Sequence, residues 1–320
     1  MVEHAQRASG TTDAERETAS GLGWHILNKV PEVTIYFWLI KVLCTTVGET
    51  AADLLNERLN FGLTHTTYVM GSLLLITLLY QFRLKKYIPG AYWLAVVLIS
   101  VVGTLITDNL TDHFGVSLVT STVGFSIALA ATFVIWYAVE RTLSVHTIIT
   151  VRREAFYWFA ILFTFALGTA AGDLIAEKCR LGYLVSALLF GGLIAAVAVI
   201  HLRLKVNTIL TFWIAYILTR PLGASIGDYL SQARENGGLG LGTIGTSVLF
   251  LAAILGGVIF LAITRKDATE NVLPQLVLQE SPADEVMVSE ISYGAAEHGA
   301  VVMEPVSSIS DVGYVPEAGA

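Results

Sequence analysis

One pattern constrains this chain more than any other: a tryptophan, a glycine ten residues on and an aspartate five beyond it, written four times without a gap. The tryptophans are Trp38, Trp93, Trp158 and Trp213. The glycines are Gly48, Gly103, Gly168 and Gly223, and the aspartates Asp53, Asp108, Asp173 and Asp228. Recurrence at one spacing marks an internal repeat, and a repeat fold buries the same face of every copy. The tryptophan spacings are 55, 65 and 55, so copies one and three, and two and four, are both offset by 120. The run Arg83-Leu84-Lys85 returns as Arg203-Leu204-Lys205 at that same offset. A two-copy unit has therefore been duplicated, with ten extra residues around Ser144–Arg153 between the halves.

Each copy carries two apolar runs, near 33–55, 66–82, 92–111, 118–139, 155–176, 183–201, 208–230 and 243–264. Most reach or approach the ~20 residues a helix needs to cross hydrocarbon. Charged residues make up only 14% of the chain and mean hydropathy is +0.67. The expected fold is all-α: a polytopic membrane protein with eight transmembrane helices arranged as four two-helix repeats. An even number of spans per copy sends every copy into the membrane in one direction, so the repeats are parallel rather than inverted. The organisation reads as a polar N-terminal segment at 1–30, repeats at 31–88, 89–150, 151–207 and 208–266, and an acidic tail at 267–320.

The net charge of −7 belongs to that tail, which holds ten acids and no Lys or Arg and reads as disordered. Thirteen Lys and Arg fall in the N-terminal segment, the even-numbered loops and the start of the tail, against four in the odd-numbered loops. Positive charge accumulates on the cytoplasmic side, which predicts both termini in the cytoplasm of a cell that holds this protein in its inner or plasma membrane. No cleavable signal is visible, and the first span is expected to serve as an uncleaved one. Cys44 and Cys179 have no spacing that suggests a metal clip or redox pair.

The stretch Lys29-Val30-Pro31-Glu32-Val33, continuing through Thr45-Thr46-Val47-Gly48-Glu49-Thr50-Ala51-Ala52-Asp53, is similar to the opening of a bacterial membrane-protein family. That family has four tandem two-helix repeats of unknown function. Arg152-Arg153-Glu154 before Phe156-Tyr157-Trp158 resembles the opening of its second half. The resemblance covers roughly 31–266. It implies fold and membrane location, and it implies no activity.

A helix turns about 100° per residue. Positions seven, eleven and fifteen after each tryptophan therefore share one stripe with it. The stripes read Thr45, Glu49, Asp53; Ser100, Thr104, Asp108; Phe165, Thr169, Asp173; and Arg220, Ala224, Asp228. Ten of these twelve residues are polar or charged. The odd helices are expected to form an inner layer with this stripe inward, and the plainer even helices an outer one facing lipid. The glycines begin small-xxx-small pairs, which let helices approach closely in lipid.

Ionised side chains within a membrane are costly and mark pathways or pairings. Asp53, Asp108, Asp173 and Asp228, with Thr104, Thr169, Glu49 and Arg220, are therefore the candidate conduit or ion-binding residues. Glu49 and Arg220 have no counterparts of their type in the other copies and are expected to pair across repeats. Pro221 is expected to kink its helix or free a carbonyl. Acids also follow three of the aspartates at i+4, as Glu57, Asp112 and Glu177, on the same helix face. Lys41 is expected to snorkel to the interface and carry no role. His65, His146 and His201 read as isolated surface groups.

Oxygen ligands suit hard cations, so the functional expectation is a cation transporter or channel for a divalent metal or proton, with the lipid bilayer as its other partner. The competing expectation is a non-transporting membrane protein whose aspartates hold helices together. The chain has no phosphate-binding loop, nucleophile elbow, H-E-x-x-H or dinucleotide fingerprint. No enzyme, cofactor or nucleic-acid partner is expected, and the metal and the oligomeric state are left open.

Overall fold

A computed structural model describes residues 28–55 and 62–267. Among these residues the α-helices are α1 (Ile35–Asp53), α2 (Leu63–Arg83), α3 (Pro89–Asp108), α4 (Leu118–Glu140), α5 (Val151–Asp173), α6 (Tyr183–Leu204), α7 (Thr208–Ser231) and α8 (Gly242–Thr264). All eight are long and apolar enough to cross a membrane. The protein is an all-α, eight-span membrane protein built from four repeats.

The odd helices pack in a closed ring, α1 on α3, α3 on α5, α5 on α7 and α7 back on α1. Each even helix lies against the odd helix of the following copy: α2 on α3, α4 on α5, α6 on α7 and α8 on α1. The apolar windows of α1, α3, α5 and α7 are 56–72% buried, those of the even helices 11–22%. The inner and outer layers expected from the sequence are present. Leu73, Leu75, Ile127, Leu188 and Val248 illustrate the outer face, exposed within the protein and therefore turned toward lipid.

Two repeated contacts close the ring. The aromatic residue before each tryptophan meets the tryptophan of the next copy: Phe37 with Trp93 at 5.8 Å, Tyr92 with Trp158 at 5.6 Å, Tyr157 with Trp213 at 6.3 Å, and Phe212 with Trp38 at 5.7 Å. Each repeat glycine receives position seven of the next copy. A methyl group on Gly48, Gly103, Gly168 or Gly223 would sit 2.6, 2.6, 2.5 or 2.5 Å from the Cβ of Ser100, Phe165, Arg220 or Thr45. Such distances exclude any side chain unless the helices part, so the glycines set the ring's diameter. The tryptophans do more than sit near an interface: Trp93, Trp158 and Trp213 are buried and form the bundle's aromatic core.

The end at which α1 begins and α8 finishes is covered. Residues 28–32 are buried, and Lys29 donates from Nζ to Glu154 at 2.7 Å and to the Phe82 carbonyl at 3.1 Å. The two segments that carried the family resemblance thus meet through Lys29 and Glu154. The ten-residue insertion crosses the same end, where Asn28 Nδ2 donates to the Val145 carbonyl and Trp213 Nε1 to that of Leu143. Asp267, assigned from sequence to the tail, is buried and accepts a hydrogen bond from Tyr87 at 2.5 Å. The bundle therefore extends slightly beyond the expected limits of 31 and 266, because these flanking residues find buried partners. The rest of the acidic tail and of the N-terminal segment lies outside the described residues, as do Glu57 and Arg58.

Candidate site on the bundle axis

The ring brings the four polar stripes face to face, so equivalent positions form successive layers. Nearest the start of α1 are the aromatic pairs. Position three follows, with Lys41, Val96, Ile161 and Tyr216, all buried. Lys41 is 1% exposed, donating to Thr219 Oγ1 at 2.6 Å and the Tyr216 carbonyl at 3.3 Å, with its ammonium 3.7 Å from the Tyr216 ring centre. The expectation that it snorkels is corrected. The stripe points it inward, and carbonyl, hydroxyl and ring together replace its water.

Positions seven and eleven carry the side chain with the most hydrogen bonds among the described residues. Arg220 is fully buried. Its Nη2 donates to Glu49 Oε2 at 2.9 Å, to Thr169 Oγ1 at 2.7 Å and to Thr104 Oγ1, while Nη1 donates to the Thr45 carbonyl at 3.1 Å. One guanidinium from the fourth repeat therefore touches all three others. The fourth place in layer eleven belongs to Ala224. The expected cross-repeat ion pair of Glu49 and Arg220 is present, and the threonines are its additional partners. Helix α7 runs unbroken through Pro221 from Thr208 to Ser231.

The aspartates form the last layer. In the first three copies the aspartate is the last α-helical residue, and the chain widens at once into a π turn, seen in full at Asn109–His113 and Leu174–Lys178. Such turns relax the helical register and recur at functional sites. The fourth copy lacks this turn, and Asp228 sits one turn inside α7. Asp53, Asp108 and Asp173 are half-buried, whereas Asp228 is 9% exposed. Carboxylate oxygens of Glu49, Asp173 and Asp228 all lie within 4.8 Å of one another. Asp108 and Asp228 each feel the charges of Glu49, Asp53 and Asp173. The axis thus collects five acids beside one guanidinium. Of the i+4 acids, Asp112 is exposed on its π turn, in keeping with a solvated group.

Elsewhere, His146 Nδ1 lies 3.1 Å from Glu32 Oε2, and His201 Nδ1 lies 3.1 Å from the Val206 carbonyl. Both line a mostly apolar cavity of about 730 Å³ between α1, α6 and α7. His65 is exposed. Cys44 is buried and Cys179 exposed, and both are free thiols.

The sequence pattern pointed to Glu49, Arg220, Thr104, Thr169 and the four aspartates, and the ring brings them to one axis. Missing from that set were Thr45, whose carbonyl receives Arg220, and Lys41. The same count of positions from the tryptophan could have found Lys41, which stands four residues before Thr45 on the stripe.

Comparison with known proteins agrees on the repeat. A family model described as Repeat of Unknown Function (DUF347) matches at residues 36–87, 91–142, 156–207 and 211–267, well over half of the chain. No curated protein and no solved structure matches.

Proposed function

The chain belongs to the DUF347 repeat family, and we propose that this member binds cations on its axis and moves them across the membrane. The observation that carries this reading is the gathering of carboxylates there: Glu49, Asp53, Asp108, Asp173 and Asp228 lie within one another's field, with the Arg220 guanidinium bonded to Glu49. Carboxylates crowded together and withdrawn from water favour the uptake of a countercharge or a proton.

The geometry favours a carrier over an open pore. Beyond the acids the axis is filled by the Arg220 cluster, by Lys41 with Tyr216, and by the aromatic ring. A cation entering at the acidic end meets the buried Arg220 guanidinium and then Lys41, so passage requires the Arg220 ties to rearrange. With the termini cytoplasmic, as the bias in Lys and Arg indicates, the acids face the outside. Asp53, Asp108, Asp173 and Asp228 then collect the ion, and Glu49 with Arg220 sets the field at mid-depth.

The second reading, a bundle that transports nothing, draws support from the same Arg220, whose hydrogen bonds join all four repeats. Flux decides between them. The purified protein in liposomes is assayed for movement of H⁺, Mg²⁺ and Mn²⁺ beside Asp108→Asn, which preserves size and removes charge. Flux in the wild type that a folded variant lacks is the expected result. Absence of flux for every ion favours the structural reading.

A further inference from the structure

We propose that residues 28–32 are a gate across the end of the bundle where α1 begins, and that the ion pair of Lys29 and Glu154 is its latch. The proposal rests on the cation reading above and adds the device that closes the axis at that end.

The observation that carries it is the reach of one short segment. Residues 28–34 form no helix, yet they bond to several sides of the opening. Lys29 N–H donates to the Ile148 carbonyl at 3.0 Å and Asn28 Nδ2 to that of Val145, both in the insertion. The Tyr87 N–H, between α2 and α3, donates to the Asn28 carbonyl at 3.2 Å. Lys29 Nζ reaches the Phe82 carbonyl in α2 and the Glu154 carboxylate at the start of α5. The Glu32 N–H donates to the Asp267 carbonyl beyond α8. Beside the insertion, the Leu143 carbonyl receives Trp213 Nε1 of α7. A segment tied at once to α2, to the insertion, to α5 and to the chain beyond α8 crosses the ring rather than flanking it. Val30 fills the space beneath, buried in the same apolar core as Tyr92, Trp93 and Trp158.

The fastenings are of a kind that can be undone. Lys29 and Glu154 meet at 2.7 Å with both side chains withdrawn from water. A buried ion pair commonly stabilises less than apolar side chains of the same size would, because each charge gives up its hydration. When the pair parts, that hydration is regained. Glu32 and His146 repeat the arrangement on the other side of Val30, at 3.1 Å. The remaining ties are single hydrogen bonds from a segment outside any helix, and each can be exchanged for one to water at small net cost.

The two ends of the axis also differ as those of a carrier must. Alternating access exposes the axis to one side at a time. Asp53, Asp108 and Asp173 at the far end are half-buried, whereas residues 28–32 are buried over the near end. The structure is therefore the state closed at the gate. A cap that never opens would look the same, but it would respond differently to a stronger latch.

The test follows Val30→Cys in the full chain with Cys44→Ala and Cys179→Ser, reading opening as the rate of labelling by a membrane-impermeant maleimide in nanodiscs. Labelling should be slow with the latch intact and about tenfold faster with Glu154→Gln. Exchanging the charges, Lys29→Glu with Glu154→Lys, should return the slow rate. Melting curves identify variants that fold, and Lys29→Gln parts the same pair where Glu154→Gln does not fold. The apolar latch, Lys29→Met with Glu154→Met, should keep Val30→Cys protected and slow the flux of H⁺, Mg²⁺ or Mn²⁺ in liposomes about tenfold. A permanent cap would leave that flux at the wild-type rate. Labelling indifferent to loss of the pair, or wild-type flux through the apolar latch, overturns the gate. If the wild type carries no ion, the transport reading fails separately. Faster labelling on loss of the pair then still upholds the latch, and unchanged labelling overturns it.

Discussion

The aromatic half and the acidic half of the axis are built by the same four helices from the same repeat, yet they meet opposite demands. At the end where α1 begins, each copy contributes an aromatic pair, and the pairs interlock around the ring. At the other end each copy contributes an aspartate, and identical residues now repel. Fourfold repetition favours packing and works against charge. The molecule resolves this in the two layers between, where the copies diverge: Thr45, Ser100, Phe165 and Arg220, then Glu49, Thr104, Thr169 and Ala224. A single arginine can serve three neighbours because the fourth neighbour is small. Symmetry holds at the ends for opposite reasons and is broken where one charge has to be placed.

Removing the asymmetric element should cost most. Arg220→Met leaves Glu49 buried without its cation, and loss of one partner of a buried pair costs about 3–5 kcal/mol. The expected fall in melting temperature in detergent should be partly reversed by adding Glu49→Gln. If the double variant is no more stable than the single, the pair is not what the middle layers are built around.

The aromatic half offers a comparable test. Trp158→Ala removes one link of the ring and should cost about 3–5 kcal/mol, as truncating a buried aromatic does. Since that half carries no proposed cation ligand, cation binding by the surviving folded fraction should persist. Loss of binding in that fraction would mean that the two halves are not separable.

Smaller effects should follow at the sockets and on the outer layer. Gly103→Leu drives a side chain into Phe165, and overpacking of this kind costs about 1–3 kcal/mol. Leu75→Ala on the exposed face of α2 should stay within about 0.5 kcal/mol. A cost at Leu75 equal to that at Gly103 would contradict the division into inner and outer helices.

The smallest effect concerns Asp267, just beyond α8. Burial raises its carboxyl above the usual range, partly offset by the hydrogen bond from Tyr87. A carboxyl with a raised folded-state pKa binds its proton more tightly in the folded protein, so its contribution to stability is present at low pH and falls as pH rises through the raised value. Asp267→Asn should flatten this slope in a pH series of melting curves.

The sequence by itself determined the number of spans, the fourfold repeat, the duplicated pair of copies and the inward stripe. Those properties are local or periodic: hydropathy over a span, a fixed count between residues and the pitch of a helix. It also singled out Glu49 and Arg220, because a repeat makes its exceptions visible. Tertiary structure alone decided how the copies meet. Closure of the ring turned Lys41 from an interfacial residue into a buried one, seated each position-seven side chain on the preceding copy's glycine, and drew Lys29 and Asp267 into the cap. It also set Asp228 deeper than its three counterparts, because α7 continues past its aspartate as α-helix where the described turns after the others widen. Distances between copies depend on packing across more than a hundred residues of chain, and no local pattern encodes them.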